Sequence, residues 1–200
     1  DNYKFHVLIR DDSHTDELLG SGVNVVLGDA TSEEDIKNFI SGVKESGEIH
    51  AILHCVGSFA VRPPHAMNKE AFETVISTNL TSAFLTLSIA GKAMLSQGYG
   101  RMVFMSSVAG SLGLVNHEAI SAAKGGIESM VRSAAATYAN RGLRINAVAP
   151  GLTDTKLASP IMSNETASQA ASQKIPIKRV GQKEEVANVI KWLLTEAPEN

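Results

Sequence analysis

The stretch "RMVFMSSVAG" (101–110) is an apolar run that ends in two serines and a small-residue turn. Near-continuous apolar runs bounded by turn residues are typical of strands buried on both faces of a parallel sheet. Other runs share this pattern: "KFHVLI" (4–9), "VNVVLG" (23–28), "AILHCV" (51–56) and "RINAVA" (144–149). The sequence therefore predicts a mostly parallel sheet in which 101–106 is a buried strand.

Helical patterns separate these strands, at 13–20, 32–46, 68–97, 118–141 and 183–195. Alternation of strands and helices predicts an α/β fold with right-handed crossovers. A length of 200 residues suits one domain. The segment 152–182 interrupts the rhythm, is rich in Ser, Thr, Ala and Gln, and is predicted to be a mobile lid over a substrate site.

Composition excludes several classes of protein. The net charge of -3 gives no basic surplus for nucleic acid. No apolar run approaches the roughly 18 residues of a membrane span, so we expect no membrane partner. Cys55 is the only cysteine, which rules out an internal disulfide and favours a cytoplasmic location, with the thiol as a small buried residue. His50 and His54 lie on a predicted strand, where residues four apart are distant, so we expect no metal site.

The carboxyl ends of strands in open α/β sheets are where ligands bind. Candidate site residues follow each predicted strand: Arg10, Asp29, Gly57, Ser106 with Ser107, and Pro150 with Gly151. Lys124 lies on a predicted helix among small apolar residues, where a lysine either extends to solvent or serves a site. The strand ends and Lys124 therefore mark the predicted ligand-binding region.

These stretches together resemble the short-chain dehydrogenase/reductase family, and its 3-ketoacyl reductases in particular, across almost the whole chain. The motifs that carry the resemblance are "AILHCVG" (51–57), "STNLTSAFLTLSIAGKAM" (77–94), "GRMVFMSSVAG" (100–110), "RINAVAPGLTDT" (144–155) and "IPIKRVGQKEEVANVIKWLL" (175–194). The resemblance implies a three-layer, Rossmann-type, doubly wound parallel sheet. It also implies hydride transfer between a nicotinamide cofactor and a small-molecule carbonyl or alcohol.

The resemblance also implies residue roles. Ser107 would position the substrate oxygen, Lys124 would bind the nicotinamide ribose, and Asn79 would hold a water in a proton relay. The cofactor-binding positions implied are Arg10, Asp29, Ala30, Gly57, Lys124, Pro150, Gly151, Thr153 and Thr155. Similar proteins pair the long helix around Ala134 across a dimer interface, so a homodimer or homotetramer is expected.

Position 120 departs from the family pattern. The family's catalytic tyrosine would stand four residues before Lys124, and this chain has Ile120 there. Isoleucine has no proton to give, and loss of a positioned general acid lowers rates by about 10²- to 10⁴-fold. A substitute donor could be His117, a water held by Asn79 or a substrate group. The alternative is a catalytically impaired nucleotide-binding member that acts as a partner subunit or a redox sensor.

The start of the chain is the other departure. "KFHVLIR" (4–10) resembles the family's second strand, and the family's first strand with its glycine-rich phosphate turn does not precede it. The family's last strand is missing as well. Because the absence of the first strand would leave unpaired backbone in mid-sheet, we expect a fragment of a longer product; a partner chain that completes the sheet is the less favoured alternative. Arg10 ends the second strand without an acid before it, which favours NADP over NAD, since arginine pairs with the 2′-phosphate.

Overall fold

Parallel strands form where the apolar runs predict them in the computed structural model, which describes residues 3–12 and 15–199. The strands are β1 (His6–Ile9), β2 (Asn24–Leu27), β3 (Ala51–His54), β4 (Gly100–Met105) and β5 (Leu143–Val148). Each observed strand lies within one or two residues of the predicted run. The prediction of a parallel α/β sheet is confirmed.

The strands pair in two groups. β1 pairs with β2, and β3, β4 and β5 pair in that order, all in parallel. Successive strands are therefore added toward β2 on one side and toward β5 on the other. This is the doubly wound arrangement. Among residues 3–12 and 15–199, no strand pairs with the free edges of β1 and β3. Leu8 of β1 nevertheless packs against the same core as Met102 and Phe104 of β4.

Helices occupy the segments between the strands. They are α1 (Thr15–Gly20), α2 (Glu33–Glu45), α3 (Lys69–Ile76), α4 (Ser82–Gln97), α5 (Glu118–Tyr138), α6 (Ser159–Met162), α7 (Glu165–Lys174) and α8 (Lys183–Thr195). Predicted helix 13–20 begins two residues earlier than α1, and those two residues lie outside the described part. Predicted helix 118–141 ends in a 3-10 turn over Ala139–Arg141.

The predicted helix 68–97 is interrupted by one π turn, Ser77–Thr81, between α3 and α4. Asn79 lies in the middle of this turn and is fully buried. Single π turns inside helices occur frequently at functional sites. The interruption therefore marks the position at which this helix meets the site.

The two faces of the sheet are covered by different helices. Met102 and Phe104 of β4 pack against α2, α4 and α5 in the main core. Arg101, whose side chain points to the opposite face, donates to the backbone oxygens of Leu193 and Ala197 at the end of α8. Helices on both faces of the sheet give the three layers that the resemblance implies.

The segment 152–182 contains more regular structure than its composition predicts. It includes α6 and α7, and its two ends pair as short parallel strands, β6 (Thr153–Asp154) and β7 (Gly181–Gln182). Arg179 makes two hydrogen bonds to the carboxylate of Glu185, at 2.8 and 2.6 Å, beside this pairing. The segment is thus closed at its base, and its role as a mobile lid stays a prediction.

The helical run Lys69–Gln97 is long and apolar enough, by length and composition, to cross a membrane. Its residues Ala83, Leu87, Ala90 and Met94 are buried in the main core. The core helix of a globular fold passes the same test of length and composition. We therefore assign this run as a core helix.

The exposure of Cys55 differs from what the sequence predicts. The thiol was expected to be buried, but the residue is exposed. Cys55 directly follows His54, the last residue of β3, and β3 has a free edge among the described residues. Cys55 is thus not among the buried residues of the core, although partial burial still raises the pKa of its thiol.

Candidate active site

Ser107 lies just beyond the end of β4, in extended backbone that starts a short 3-10 turn. Its Oγ accepts a hydrogen bond from the Ala109 amide at 3.2 Å, which leaves the hydroxyl hydrogen free to donate. The Val108 amide donates to the backbone oxygen of Pro150 at 3.0 Å. The turn after β4 is thereby tied to the turn after β5, and Ser107 lies at the predicted ligand edge.

Lys124 reaches the same edge from α5. Its Nζ donates to the backbone oxygen of Met105, the last residue of β4, at 2.8 Å. The residue is 7% exposed, and burial lowers the pKa of its ammonium to about 8. Among the residues that the structure describes, no carboxylate lies within ion-pair distance of Nζ. This lysine therefore does not extend to solvent.

Gly57 and Asn79 lie beside the lysine. A Cβ at Gly57 would lie 3.0 Å from Asn79 Oδ1 and 3.4 Å from Lys124 Nζ, so a larger residue would crowd both groups. Asn79 Nδ2 donates to Ser58 Oγ and to the backbone oxygen of Val75, and Oδ1 accepts from the Ser58 amide. The Asn79 side chain thus fixes the turn after β3, a role that the sequence did not predict, and both of its amide hydrogens are used.

Ile120 does not face an open cavity. It is 7% exposed and packs in a small apolar cluster with Val75, Ala109, Ala119 and Ala123. One turn later on α5 comes Lys124, and residues four apart share a helix face. The position that precedes the lysine is therefore filled by packed hydrocarbon.

His117, the substitute donor named from the sequence, precedes the first residue of α5. Its Nδ1 lies 2.7 Å from the backbone oxygen of Val115 and donates to it. Its α-carbon precedes that of Lys124 by seven residues, which is about 10.5 Å along a helix axis. The structure does not bring His117 into contact with the lysine.

Glu128 is a site residue that sequence reasoning missed. Ser106 Oγ and Ser111 Oγ donate to its two carboxylate oxygens, each at 2.8 Å. A Cβ at Gly110 would lie only 2.7 Å from Glu128 Oε1, so glycine lets the turn approach. The carboxylate joins α5 to both ends of the turn that carries Ser107. Its spacing of four residues after Lys124 was the available signal, because that spacing places both on one helix face.

We expect Glu128→Gln to lower the free energy of unfolding by about 1 to 3 kcal/mol, because two serine hydroxyls lose a charged acceptor in a largely buried setting. Urea unfolding at neutral pH measures the change. The matched control is Glu45→Gln at an exposed position on α2, which should change stability by less than about 0.5 kcal/mol. Equal effects of the two substitutions would contradict the assigned role.

The positions expected near the adenosine end of a cofactor lie where β1 and β2 end. Asp29 Oδ1 accepts from the amide and the hydroxyl of Thr31, both at 2.8 Å, and these hydrogen bonds hold the pKa of Asp29 below its ordinary value. Arg10 is exposed, and its positive charge lowers the pKa of Asp29 further. Ala30 follows in the same turn, half-buried. Arg10 and Asp29 are therefore close enough for the arginine charge to act on the carboxylate.

The positions after β5 are more open. Gly151 and Thr155 are exposed, whereas Pro150 and Thr153 are half-buried. Thr153 Oγ1 donates to the backbone oxygen of Gly151 at 3.1 Å. Thr155 Oγ1 lies 3.4 Å from the Thr153 oxygen. These residues shape a turn next to the one that carries Ser107.

His54 forms a buried link to the π turn. Ser82 Oγ donates to the backbone oxygen of Thr78 at 2.6 Å, so it accepts from His54 Nε2–H at 3.0 Å. Nδ1 then carries no proton and is buried without a partner in the described part of the chain. Burial, and next the positive charge of Lys124, lower the pKa of His54 to about 4. The neutral ring therefore connects β3 to the turn that carries Asn79.

Two open grooves mark the surface. One, of about 530 Å³, lies along the turn after Ser107 and is lined by residues that include Leu112, Leu114, Val115 and Glu118. The other, of about 460 Å³, lies between α4 and α5 and includes Phe84 and Tyr138. Tyr138 is 14 residues from Lys124, about 21 Å along the helix. The first groove is thus the one beside the candidate site.

Comparisons with known proteins agree with this geometry. The family model described as enoyl-(acyl carrier protein) reductase matches residues 7–199. The chain is 36% identical over 169 residues to the 3-oxoacyl-[acyl-carrier-protein] reductase MabA of Mycobacterium tuberculosis, which covers 84% of this chain and 68% of that protein. It is also 36% identical over 171 residues to the cis-4-hydroxycyclohexanecarboxylate dehydrogenase of Sinomonas cyclohexanicum, with the same coverage.

A solved structure shows the same fold. The crystal structure of a putative gluconate dehydrogenase from Agrobacterium tumefaciens superposes with a TM-score of 0.90 at 27% identity, and the match covers 97% of this chain and 79% of that one. The family match spans nearly all of this chain. The chain therefore belongs to the short-chain dehydrogenase/reductase family, the oxidoreductases that act on carbonyl and alcohol substrates.

Proposed function

We propose that this protein is an NADP-dependent oxidoreductase of a small-molecule carbonyl or alcohol, with a proton donor other than the side chain at position 120. The observation that carries the proposal is the grouping at one strand edge of a free serine hydroxyl, Ser107, and a buried ammonium, Lys124. Negative charge that develops on a substrate oxygen needs hydrogen-bond donors of this kind.

The residues at this edge fit a nicotinamide nucleotide. Gly57 leaves backbone open beside the ammonium, where a Cβ would crowd Lys124 Nζ and Asn79 Oδ1. Lys124 has hydrogens beyond the one given to Met105, and these can reach ribose hydroxyls. Arg10 offers an exposed guanidinium at the end of β1. Lys124 and Gly57 would hold the nicotinamide side, and Arg10 and Asp29 the adenosine side.

When it is bound, the cofactor supplies or accepts the hydride. Ser107 orients the substrate oxygen through its free hydroxyl hydrogen. The Asn79 side chain holds the turn after β3 through Ser58, which keeps Gly57 in place. Glu128 fixes the turn after β4 from the other side, through Ser106 and Ser111. The side chains that position the reacting groups thus lie on three different structural elements.

The choice of NADP rests on Arg10. An arginine at the end of this strand can pair with a 2′-phosphate, and such charge-assisted hydrogen bonds contribute about 1.5 to 3 kcal/mol. We expect Arg10→Ala to weaken NADPH binding by about 10- to 100-fold and to leave NADH binding nearly unchanged. Titration of nicotinamide fluorescence measures both affinities. Arg141→Ala, at an exposed position beyond α5, is the matched control; equal losses for NADPH and NADH would exclude a phosphate contact by Arg10.

The test of the function itself is turnover. The protein is incubated with NADPH and a panel of ketones and 3-ketoacyl thioesters, and with NADP⁺ and the matching alcohols. The apolar residues Leu112, Leu114 and Val115 in the adjacent groove favour substrates with a hydrocarbon part. Because position 120 carries no hydroxyl, we expect slow turnover of generic ketones. Failure to bind either nucleotide would refute the proposal.

A second candidate function is nucleotide binding without turnover, in a partner subunit or a redox sensor. The observation that favours it is the packing of Ile120 among apolar side chains. The two functions differ in one measurement, since a sensor binds NADPH and converts none of the panel. A cytoplasmic location and a homodimer or homotetramer remain proposals as well; sedimentation of the purified protein tests the assembly.

A further inference from the structure

The ammonium of Lys124 lies at the strand edge where a bound substrate oxygen would need a proton. It donates to Met105 O at the end of β4, two residues before Ser107, and lies beside Gly57 at the end of β3. Substrates of open α/β folds bind at this edge. Lys124 is a titratable side chain in direct contact with the end of β4.

The surroundings of the ammonium favour release of its proton. The titratable groups near it are His54 at the end of β3, Cys55 just after β3, and Glu128 on its own helix; His117, just before that helix, lies farther away. His54 is neutral in this site, and the Glu128 oxygens are taken by two serine hydroxyls. Cys55 favours the charged lysine only as a secondary influence, whereas burial opposes it most strongly and holds the pKa of Lys124 at about 8. The lysine can thus exchange its proton near neutral pH.

The other groups named as donors fit less well. The amide hydrogens of Asn79 are both bound to Ser58 and Val75, so its side chain is not positioned to hold a relay water by donation. His117 is bound to Val115 and lies about two helical turns from Lys124. Ile120 has no exchangeable hydrogen. Lys124 is the group that combines position with an exchangeable proton.

We infer that Lys124 is itself the proton donor of this site, in place of the family's tyrosine. In the reducing direction, the substrate carbonyl carbon gains a hydride from the reduced nicotinamide nucleotide. The carbonyl oxygen gains the proton as the Nζ–H bond breaks. The products are the alcohol, the oxidised nucleotide and a neutral amine, which takes a proton back from solvent. This inference rests on the proposed function.

The titration of Lys124 can be measured without any turnover. The protein is labelled with trace acetic anhydride from about pH 6 to 11, and the labelled lysines are quantified by peptide mass spectrometry. Labelling of Lys124 is expected to rise through a midpoint near 8, with the exposed Lys191 on α8 as the internal reference. A midpoint for Lys124 equal to that of Lys191 would overturn the inference.

A pair of variants tests the donor role. Arginine keeps the positive charge but does not release a proton, so Lys124→Arg should lower ketone reduction by more than about 100-fold. The same change made together with Ile120→Tyr should lower it much less, because the phenol then donates. NADPH affinity, measured by fluorescence on every variant, separates loss of binding from loss of chemistry. If Lys124→Arg lowers ketone reduction equally with and without Ile120→Tyr, Lys124 has a cofactor-binding role only.

The remaining outcomes are also decisive. His117→Ala should leave the rate unchanged, and a fall of about 100-fold would assign the donor to histidine instead. Nucleotide binding with no turnover of the panel would refute the oxidoreductase function and this inference with it. Turnover that persists in Lys124→Arg would refute the donor role alone. If Lys124→Arg does not fold, the labelling experiment on the unmodified protein still decides.

Discussion

The variant Ile120→Tyr is expected to reduce generic ketones faster than the unmodified protein, but by less than the roughly 10²- to 10⁴-fold that a positioned general acid contributes in all, because Lys124 already supplies a proton at this site. Lys124 lies four residues after position 120 on α5, on the same helix face, and Ser107 follows the end of β4. A phenol at 120 would lie one helical turn from the Lys124 ammonium, which favours the phenolate and so eases proton transfer. Initial rates with NADPH and a simple ketone measure the gain.

The matched control is Ile120→Phe, which adds the same ring without the hydroxyl. Ile120 packs against Val75, Ala109, Ala119 and Ala123, so either ring forces some repacking, at about 1 to 3 kcal/mol. The two variants should therefore lose similar stability and differ in rate. Equal rates for tyrosine and phenylalanine would mean that position 120 does not face the reacting oxygen.

Strands and long helices were predictable because each follows from a local pattern. β4 and β5 are buried apolar runs that end at polar turns, and α5 is one long helical segment between them. α2 likewise begins at a local cap, in which Ser32 Oγ accepts from the Asp35 amide at 3.2 Å. These features depend on residues close in sequence.

Features that depend on distant residues were not readable in the same way. The π turn at Ser77–Thr81 interrupts a stretch whose periodicity predicts one continuous helix. The helices α6 and α7 lie in a segment rich in serine and alanine, whose weak apolar pattern gave no helix signal. The N-terminal end of α7 has a local cap, since Asn164 Oδ1 accepts from the Ala167 amide at 2.9 Å, whereas α6 has no side-chain cap.

The candidate site also combines features that the sequence predicts with features that it does not. The motifs predict that Ser107, Lys124 and Asn79 share one edge of the sheet, and the structure places them there. Sequence spacing does not show which partner each side chain takes. Glu128 and Ser58 hold the site from elements far apart in sequence, and no motif marks them. Partner choice is a property of the packed fold.

His54 makes the stability of the protein depend on pH. In the unfolded chain a histidine takes up a proton below about pH 6.5, whereas burial keeps His54 neutral in the folded protein until its pKa of about 4. Between those values the unfolded state binds more protons than the folded state, so stability falls as pH falls. The stabilisation is present above pH 6.5 and is lost as pH approaches 4, which amounts to about 3 kcal/mol.

The substitution His54→Gln is expected to remove this part of the acid sensitivity. The glutamine amide can donate to Ser82 Oγ as the Nε2–H does, and it does not titrate. Urea unfolding between about pH 7 and 4 should show the unmodified protein losing about 3 kcal/mol more than the variant over that range. His65→Gln, at an exposed position, should follow the unmodified protein. Parallel curves for His54→Gln and the unmodified protein would show that His54 takes up its proton at the same pH in the folded and the unfolded state, which would contradict the lowered pKa.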